Sequence, residues 1–225
     1  MPTDCPPARR GLRAGIGGLI LFALGGFMAN SAIAQTVAPH RPGHVYLMRG
    51  LFNVFSLGMD DLAAKLQRAG VKADAVSYTS WSSLADSITA NFRAGNREPV
   101  ILMGHSYGAD TTISLARKLN ERRIPVALIV NFDPTAPDRV PPNVRRIINF
   151  YVPTAWGRPV EASKQFHGSL SNLNEGGQYS HFDVDKAEAL HRKAIAAVLQ
   201  AVGGRGTYRA KRPAKRDHVS EAPVQ

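Results

Sequence analysis

From residue 44 to residue 202, continuous apolar runs alternate with stretches in which apolar side chains recur every three or four positions. His44-Val45-Tyr46-Leu47-Met48 reads as a strand, and Met59, Leu62, Ala63 and Leu66 then follow at i, i+3, i+4 and i+7, one face of a helix. Ala73 to Tyr78 predicts a second strand. A helix is predicted from about Leu84, with Ser83-x-x-Asp86 as its capping box. Pro99 to Met103 is a third apolar run, and Ile113, Ala116 and Leu119 give the helix after it a buried stripe that ends at Asn120 to Arg123. Val126 to Phe132 and Val144 to Val152 are near-continuous apolar runs, as expected of parallel strands covered on both faces. A weaker strand is expected around Phe166 to Leu173. The last helix runs from about Lys186 to Ala201, with Ala187, Leu190, Ala194, Ala197 and Val198 on one face. Repeated β-then-α units imply an α/β fold: a doubly wound, mostly parallel sheet with helices on both faces.

One junction in this pattern carries chemistry. Gly104-His105-Ser106-Tyr107-Gly108 lies between the run ending at Met103 and the next helical stretch. Strand, sharp G-x-S-x-G turn and helix form a nucleophile elbow with the serine at its tip. The flanking glycines suit a strained serine backbone, where a side chain would crowd strand or helix. Ser106 is therefore the candidate nucleophile. His105, inside the elbow, is expected to point away from Ser106 and to serve packing.

The two ends differ from the middle. In residues 1–34, Arg9, Arg10 and Arg13 precede the mostly apolar Ala14 to Ala29, and Ala32-Ile33-Ala34 before Gln35 fits an A-x-A cleavage site. This reads as a signal peptide and points to a periplasmic or secreted protein. An uncleaved inner-membrane anchor is the alternative, and the Arg9-Arg10 pair leaves the export route open. The chain's one cysteine, Cys5, would leave with the leader, so the mature chain has neither a disulfide nor a thiol nucleophile. Residues 203–225 hold six basic and two acidic residues among glycine, proline and small side chains, and read as a disordered basic tail. Such a tail is a solvated appendage or a weak attachment to anionic surfaces, with no specific nucleic-acid partner expected. Of the net charge of +11, about +5 remains for residues 35–202, a single mildly basic domain long enough to bury a sizeable core.

An elbow serine needs a base, and a late histidine on a loop at the carboxyl edge of the sheet would supply it. His181, in Gln178-Tyr179-Ser180-His181-Phe182-Asp183, is in that position. His167 is the main rival, although it enters or occupies a strand. His40, His44 and His191 lie near the domain start or on a helix surface. Asp133 ends the run Val126 to Phe132, which puts a carboxylate at the same sheet edge to orient the imidazole. Asp138 and Asp183 are alternatives, Asp183 also reading as N-cap of the last helix. For the oxyanion, Tyr107 N–H is one donor, and Leu51 N–H, after Arg49-Gly50, is expected as the second. The side chains of Leu51, Phe52 and Tyr107 would then wall the acyl group. Nothing in the sequence resembles a metal-ligand cluster or a phosphate-binding loop, so no cofactor is expected.

The elbow Gly104 to Gly108, the strand-end Asp133 and the late His181 together resemble the α/β-hydrolase superfamily over roughly residues 43–201, particularly its compact lipase-, thioesterase- and cutinase-like members. The order Ser106, Asp133, His181 is that superfamily's order. Two departures stand out. In most members the acid follows the next strand, yet Val144 to Val152 runs into Pro153-Thr154. Pro134 to Asn143 is also too short for a large lid, which leaves Pro153 to Gln178 as the place for a small one. The resemblance implies a serine hydrolase acting on a small-molecule or lipid ester or thioester through an acyl-enzyme. The competing expectation is a non-catalytic cell-envelope binding protein that retains the fold.

Overall fold

The fold is described from a computed structural model, which covers residues 40–51, 56–154 and 156–203. The leader, Phe52 and the tail beyond Gly203 lie outside the described residues. Six strands, β1 (Arg41–Arg49), β2 (Val71–Ser77), β3 (Val100–His105), β4 (Leu128–Phe132), β5 (Arg146–Tyr151) and β6 (Ser169–Asn174), are interleaved with α1 (Gly58–Arg68), α2 (Trp81–Arg93), α3 (Tyr107–Glu121) and α4 (Glu188–Gly203). The strands form one sheet in the order β2-β1-β3-β4-β5-β6, every neighbouring pair parallel.

Apolar residues alternate in facing along each strand because successive side chains leave opposite faces. Val45, Leu47, Ile101, Met103, Leu128 and Val130 bury one face against α1 and α4. Tyr46, Met48, Leu102 and Ile129 bury the other against α2 and α3. The strand order reverses between β1 and β3, and ligand sites of open parallel sheets lie at the carboxyl ends beside such a reversal. The loops after β1 and β3 meet there. Among the described residues no helix is long and apolar enough to cross a membrane.

Several local expectations differ from the structure. Helix α2 begins at Trp81, three residues before Leu84, because a 3-10 turn over Tyr78–Ser80 feeds directly into it. Ser83 is thus not a cap; its hydroxyl donates to Ser80 O at 3.0 Å from within the first turn, and Asp86 pairs instead with Arg122. Strand β6 starts at Ser169, so His167 lies in the loop before it, exposed at the amino edge of the sheet. Asp183 precedes a short 3-10 turn, Val184–Lys186, and not α4 itself, and its carboxylate accepts from the Ser180 hydroxyl. His191 is wholly buried on the inner face of α4, where its Nε2–H donates to Asp185 O at 2.6 Å.

Helix α3 is seated against the sheet through glycine. A Cβ on Gly104 would lie 2.3 Å from Gly108 O, and one on Gly108 would lie 2.1 Å from Met48 O, both backbone atoms. A Gly→Ala change inside an exposed helix gains about 1 kcal/mol, but here the methyl group has no room. Gly108→Ala is expected to destabilise the protein by about 3 kcal/mol or more, measured by denaturant unfolding; an unchanged or raised midpoint would refute this close approach.

Candidate active site

Ser106 ends the turn between β3 and α3 with φ 56° and ψ −128°, a region that side chains other than glycine rarely occupy. Its N–H donates to Phe132 O at 2.9 Å, and its carbonyl accepts from Ala109 N at 2.8 Å, so strand β4 and the first turn of α3 hold the strained residue from both sides. The start of α3 is tied to β4 again by buried Asn131, whose amide donates to Ala109 O at 3.2 Å and whose oxygen accepts from the Thr112 hydroxyl at 2.8 Å.

Asp133 follows β4 with φ 52° and donates its N–H to Phe150 O at 2.7 Å. One carboxylate oxygen accepts from Val152 N at 2.5 Å, and the other lies 2.6 Å from His181 Nδ1. His181 Nε2 is in turn 3.1 Å from Ser106 Oγ. A carboxylate accepts, so His181 Nδ1 carries the proton and Nε2 presents its lone pair to the serine hydroxyl. The fold thereby joins three residues from three separate loops, all at the carboxyl edge and all buried. A Cβ on Gly157 would sit 1.6 Å from Asp133 Oδ1, so only a glycine passes over this carboxylate. Asp110, in the first turn of α3, accepts from Thr135 N, Ala136 N and the Thr135 hydroxyl at 3.0, 3.1 and 2.7 Å, which fastens the chain just beyond Asp133. Burial raises its carboxyl above the usual range against the pull of those bonds.

The rival positions fall elsewhere. His167 is at the opposite edge of the sheet. Asp138 pairs with Arg117 at 3.0 Å, half-exposed. Leu51 follows β1, and the Gly50 backbone beside it approaches Ser106 so closely that a Cβ there would lie 3.1 Å from the serine Cβ. Tyr107 opens α3, where a backbone N–H has no carbonyl one turn back to accept it. The rim is apolar and open: Leu51, Tyr107, Trp156 and Phe182 are 38%, 48%, 55% and 45% exposed. Trp156 stands edge-on to the His181 ring at 4.9 Å, and Tyr107 lies 6.1 Å from Tyr78. Trp156 was not legible as a site residue because nothing in the sequence brings its loop to His181.

His105 also differs from expectation. It does point away from Ser106, but into a polar pocket, where Nδ1 is 2.8 Å from Ser56 Oγ and Nε2 is 2.8 Å from His181 O. Its place within the elbow was the only sequence signal; Ser56 had none. A group of potential ligand atoms also assembles from distant residues, since Asp61, Glu188 and His191 converge within 4.8 Å. Lys65 already fills the centre of that group, pairing with Glu188, 2.7 Å from Asp61 and 3.0 Å from His191 Nδ1. An ammonium ion takes the position a metal would need.

Residues 60–147, which include Ser106 and Asp133, match the model of the thioesterase domain family. Among solved structures, the type II thioesterase BorB of the borrelidin biosynthetic cluster is similar at 17% identity, over 73% of this chain and 94% of that one, with a TM-score of 0.51. The RedJ thioesterase of the prodiginine pathway in Streptomyces coelicolor matches at 12% identity over 78% and 98%, TM-score 0.49. A cutinase-like protein from Cryptococcus sp. matches at 10% identity over 75% and 98%, TM-score 0.47. No curated protein matches in sequence. The chain has the α/β-hydrolase fold, in its minimal form with a single parallel sheet.

Beneath the site, Asp185 is wholly buried; one carboxylate oxygen accepts from Gly58 N at 3.1 Å, and the other has no hydrogen-bond partner among the described residues. Burial pushes its carboxyl up to about 6, although Lys186 and the Gly58 N–H favour the anion. Because this exceeds the value near 4 of an unfolded chain, the group opposes folding increasingly as pH rises from about 4 through 6. The cost at neutral pH is about 3 kcal/mol as an order of magnitude. Asp185→Asn keeps an acceptor for Gly58 and removes the charge. The variant is expected to be more stable than the parent at pH 7.5, with the difference shrinking toward pH 4.5; urea unfolding at both pH values checks this, and a pH-independent difference would contradict it.

Proposed function

We propose that the protein is an exported serine hydrolase that opens carboxylic esters or thioesters through an acyl-enzyme, with Ser106 as nucleophile, His181 as base and Asp133 as the acid that orients it. The observation that carries the reading is the unbroken contact series from Asp133 through His181 to Ser106, 2.6 and 3.1 Å, ending on a serine in a strained elbow. His181 Nε2 takes the proton as Ser106 Oγ bonds to the carbonyl carbon. The oxyanion is met by the backbone N–H groups of Tyr107 and Leu51. Collapse of the tetrahedral adduct passes that proton from His181 to the departing alcohol or thiol, and the acyl group stays on Ser106. Water then enters, gives a proton to His181 and a hydroxyl to the acyl carbon, and the acid leaves as Ser106 regains its proton.

The thioesterase-domain match over residues 60–147 favours small acyl substrates. The exposed rim of Leu51, Tyr107, Trp156 and Phe182 favours an apolar acyl or leaving group in an open cleft, as in a small-molecule or lipid ester. The leader pattern of residues 1–34 supports export, with the mature chain beginning at Gln35, or anchorage in the inner membrane if it is retained. Residues 203–225 would give weak, salt-sensitive attachment to anionic polymers. Amino-terminal sequencing of the protein from the periplasmic fraction distinguishes cleavage from anchorage.

A fluorophosphonate probe is expected to label Ser106 in the folded protein, and an unlabelled protein would favour the binding-protein reading instead. Ser106→Ala and His181→Ala should each lower kcat on a nitrophenyl ester by roughly 10^4- to 10^6-fold. His167→Ala, at the far edge of the sheet, should leave it unchanged. Parent-like turnover by folded Ser106→Ala would overturn the proposal. Trp156→Ala should raise KM for esters with apolar leaving groups more than for ethyl esters, since the ring stands at the His181 side of the site where the leaving group departs.

A further inference from the structure

His105 is buried, lies outside the proton path of the proposed reaction, and touches two of the loops that the reaction uses. Gly50 N–H donates to Ser56 Oγ at 2.8 Å, Ser56 Oγ is 2.8 Å from His105 Nδ1, and His105 Nε2 is 2.8 Å from the carbonyl of His181. The direction of every bond follows from what each atom is able to do. A carbonyl only accepts, so His105 Nε2 bears a proton. Burial drives the conjugate acid of His105 down to about 3, so the ring is neutral and Nδ1 has a lone pair. The Ser56 hydroxyl must then donate to Nδ1, and its oxygen accepts from Gly50. Asp185 Oδ2 lies 3.9 Å from the same Nδ1, too far for a hydrogen bond.

We propose that His105 is a positioning residue that, with Ser56, ties the backbone of the oxyanion loop at Gly50 to the backbone of the base at His181 and so sets their spacing around Ser106. The inference rests on the proposed roles of Ser106, His181 and Leu51. The relay has two consequences for that site. It engages the Gly50 N–H, which leaves the next N–H, that of Leu51, as the donor facing the oxyanion. It also fixes the loop at a separation where no side chain fits at position 50, since a Cβ there would lie 2.9 Å from Ser56 Oγ and 3.0 Å from His105 O. His105 adjoins Ser106 in the chain, so nucleophile, base and oxyanion loop are referenced to one rigid elbow. A displacement of about 1 Å in such an arrangement costs on the order of 100-fold in rate.

The test uses four variants and one spectroscopic readout on the full chain. Ser56→Ala breaks the tie to Gly50 alone. His105→Gln can place its amide N–H toward His181 O but has no acceptor at the position of Nδ1, so it should match Ser56→Ala. Each is expected to lower kcat on a soluble nitrophenyl ester by roughly 10- to 100-fold, with KM nearly unchanged and the protein still folded at a lower melting temperature, since buried groups lose a partner, and the double variant should lose no more kcat than the worse single one. Parent-like kcat in Ser56→Ala, losses confined to KM, or multiplicative losses in the double variant would overturn the relay. Imidazole nitrogen NMR of the inactive Ser106→Ala protein should find His105 as the neutral Nε2–H tautomer at pH 5 to 8, and the Nδ1–H tautomer or a charged ring would overturn it independently of activity. Failure of the catalytic reading appears differently, as retained turnover in Ser106→Ala.

Discussion

The close seating of α3 on the sheet is the constraint on which the rest of the structure depends. At Gly104 and Gly108 the helix backbone comes so near to β3 and β1 that neither position has space for a methyl group. The chain must therefore leave β3 and enter α3 within a single residue, and that residue is Ser106, forced to φ 56°. A backbone held this way places the serine side chain at the edge of the sheet and leaves the first N–H groups of α3 beside it. Part of the free energy from burying Leu102, Ile113 and Leu119 in the core offsets the strain.

Around that fixed point the remaining groups are held by backbone hydrogen bonds more than by side-chain packing. Asp133 is secured through Phe150 O and Val152 N, so the β4–β5 pairing sets its carboxylate. Asp110 fastens the chain that follows. The His181 loop has no strand to direct it, and its carbonyl is met instead by His105 from below while Trp156 stands against its ring. Buried polar groups in such a region must be paired, or they cost more than they contribute. Asp185 violates this at one oxygen among the described residues, and burial raises its carboxyl.

The elbow was legible because its chemistry is local: two glycines, a serine, and the strand and helix on either side occupy adjacent positions. Asp133 and His181 were legible more indirectly, through their positions after β4 and before the last helix. Local signals misled where a neighbouring segment took over. Ser83 satisfies a capping pattern, yet a 3-10 turn beginning at Tyr78 starts α2 before it. His191 reads as a surface position on helical spacing, but α4 turns it inward to the carbonyl of Asp185.

The sequence by itself determined the order of strands and helices, the two-faced burial of the sheet and the tight strand-to-helix turn at Ser106, since each depends on side chains a few positions apart. Only the tertiary structure decided what meets at the elbow. Ser56 and His105 are 49 residues apart, His105 and His181 are 76 apart, and Trp156 reaches His181 from a loop with no periodicity. Contacts of that range are fixed by how the parallel strands bring their carboxyl ends to one edge, and apolar spacing carries no record of which loops then touch.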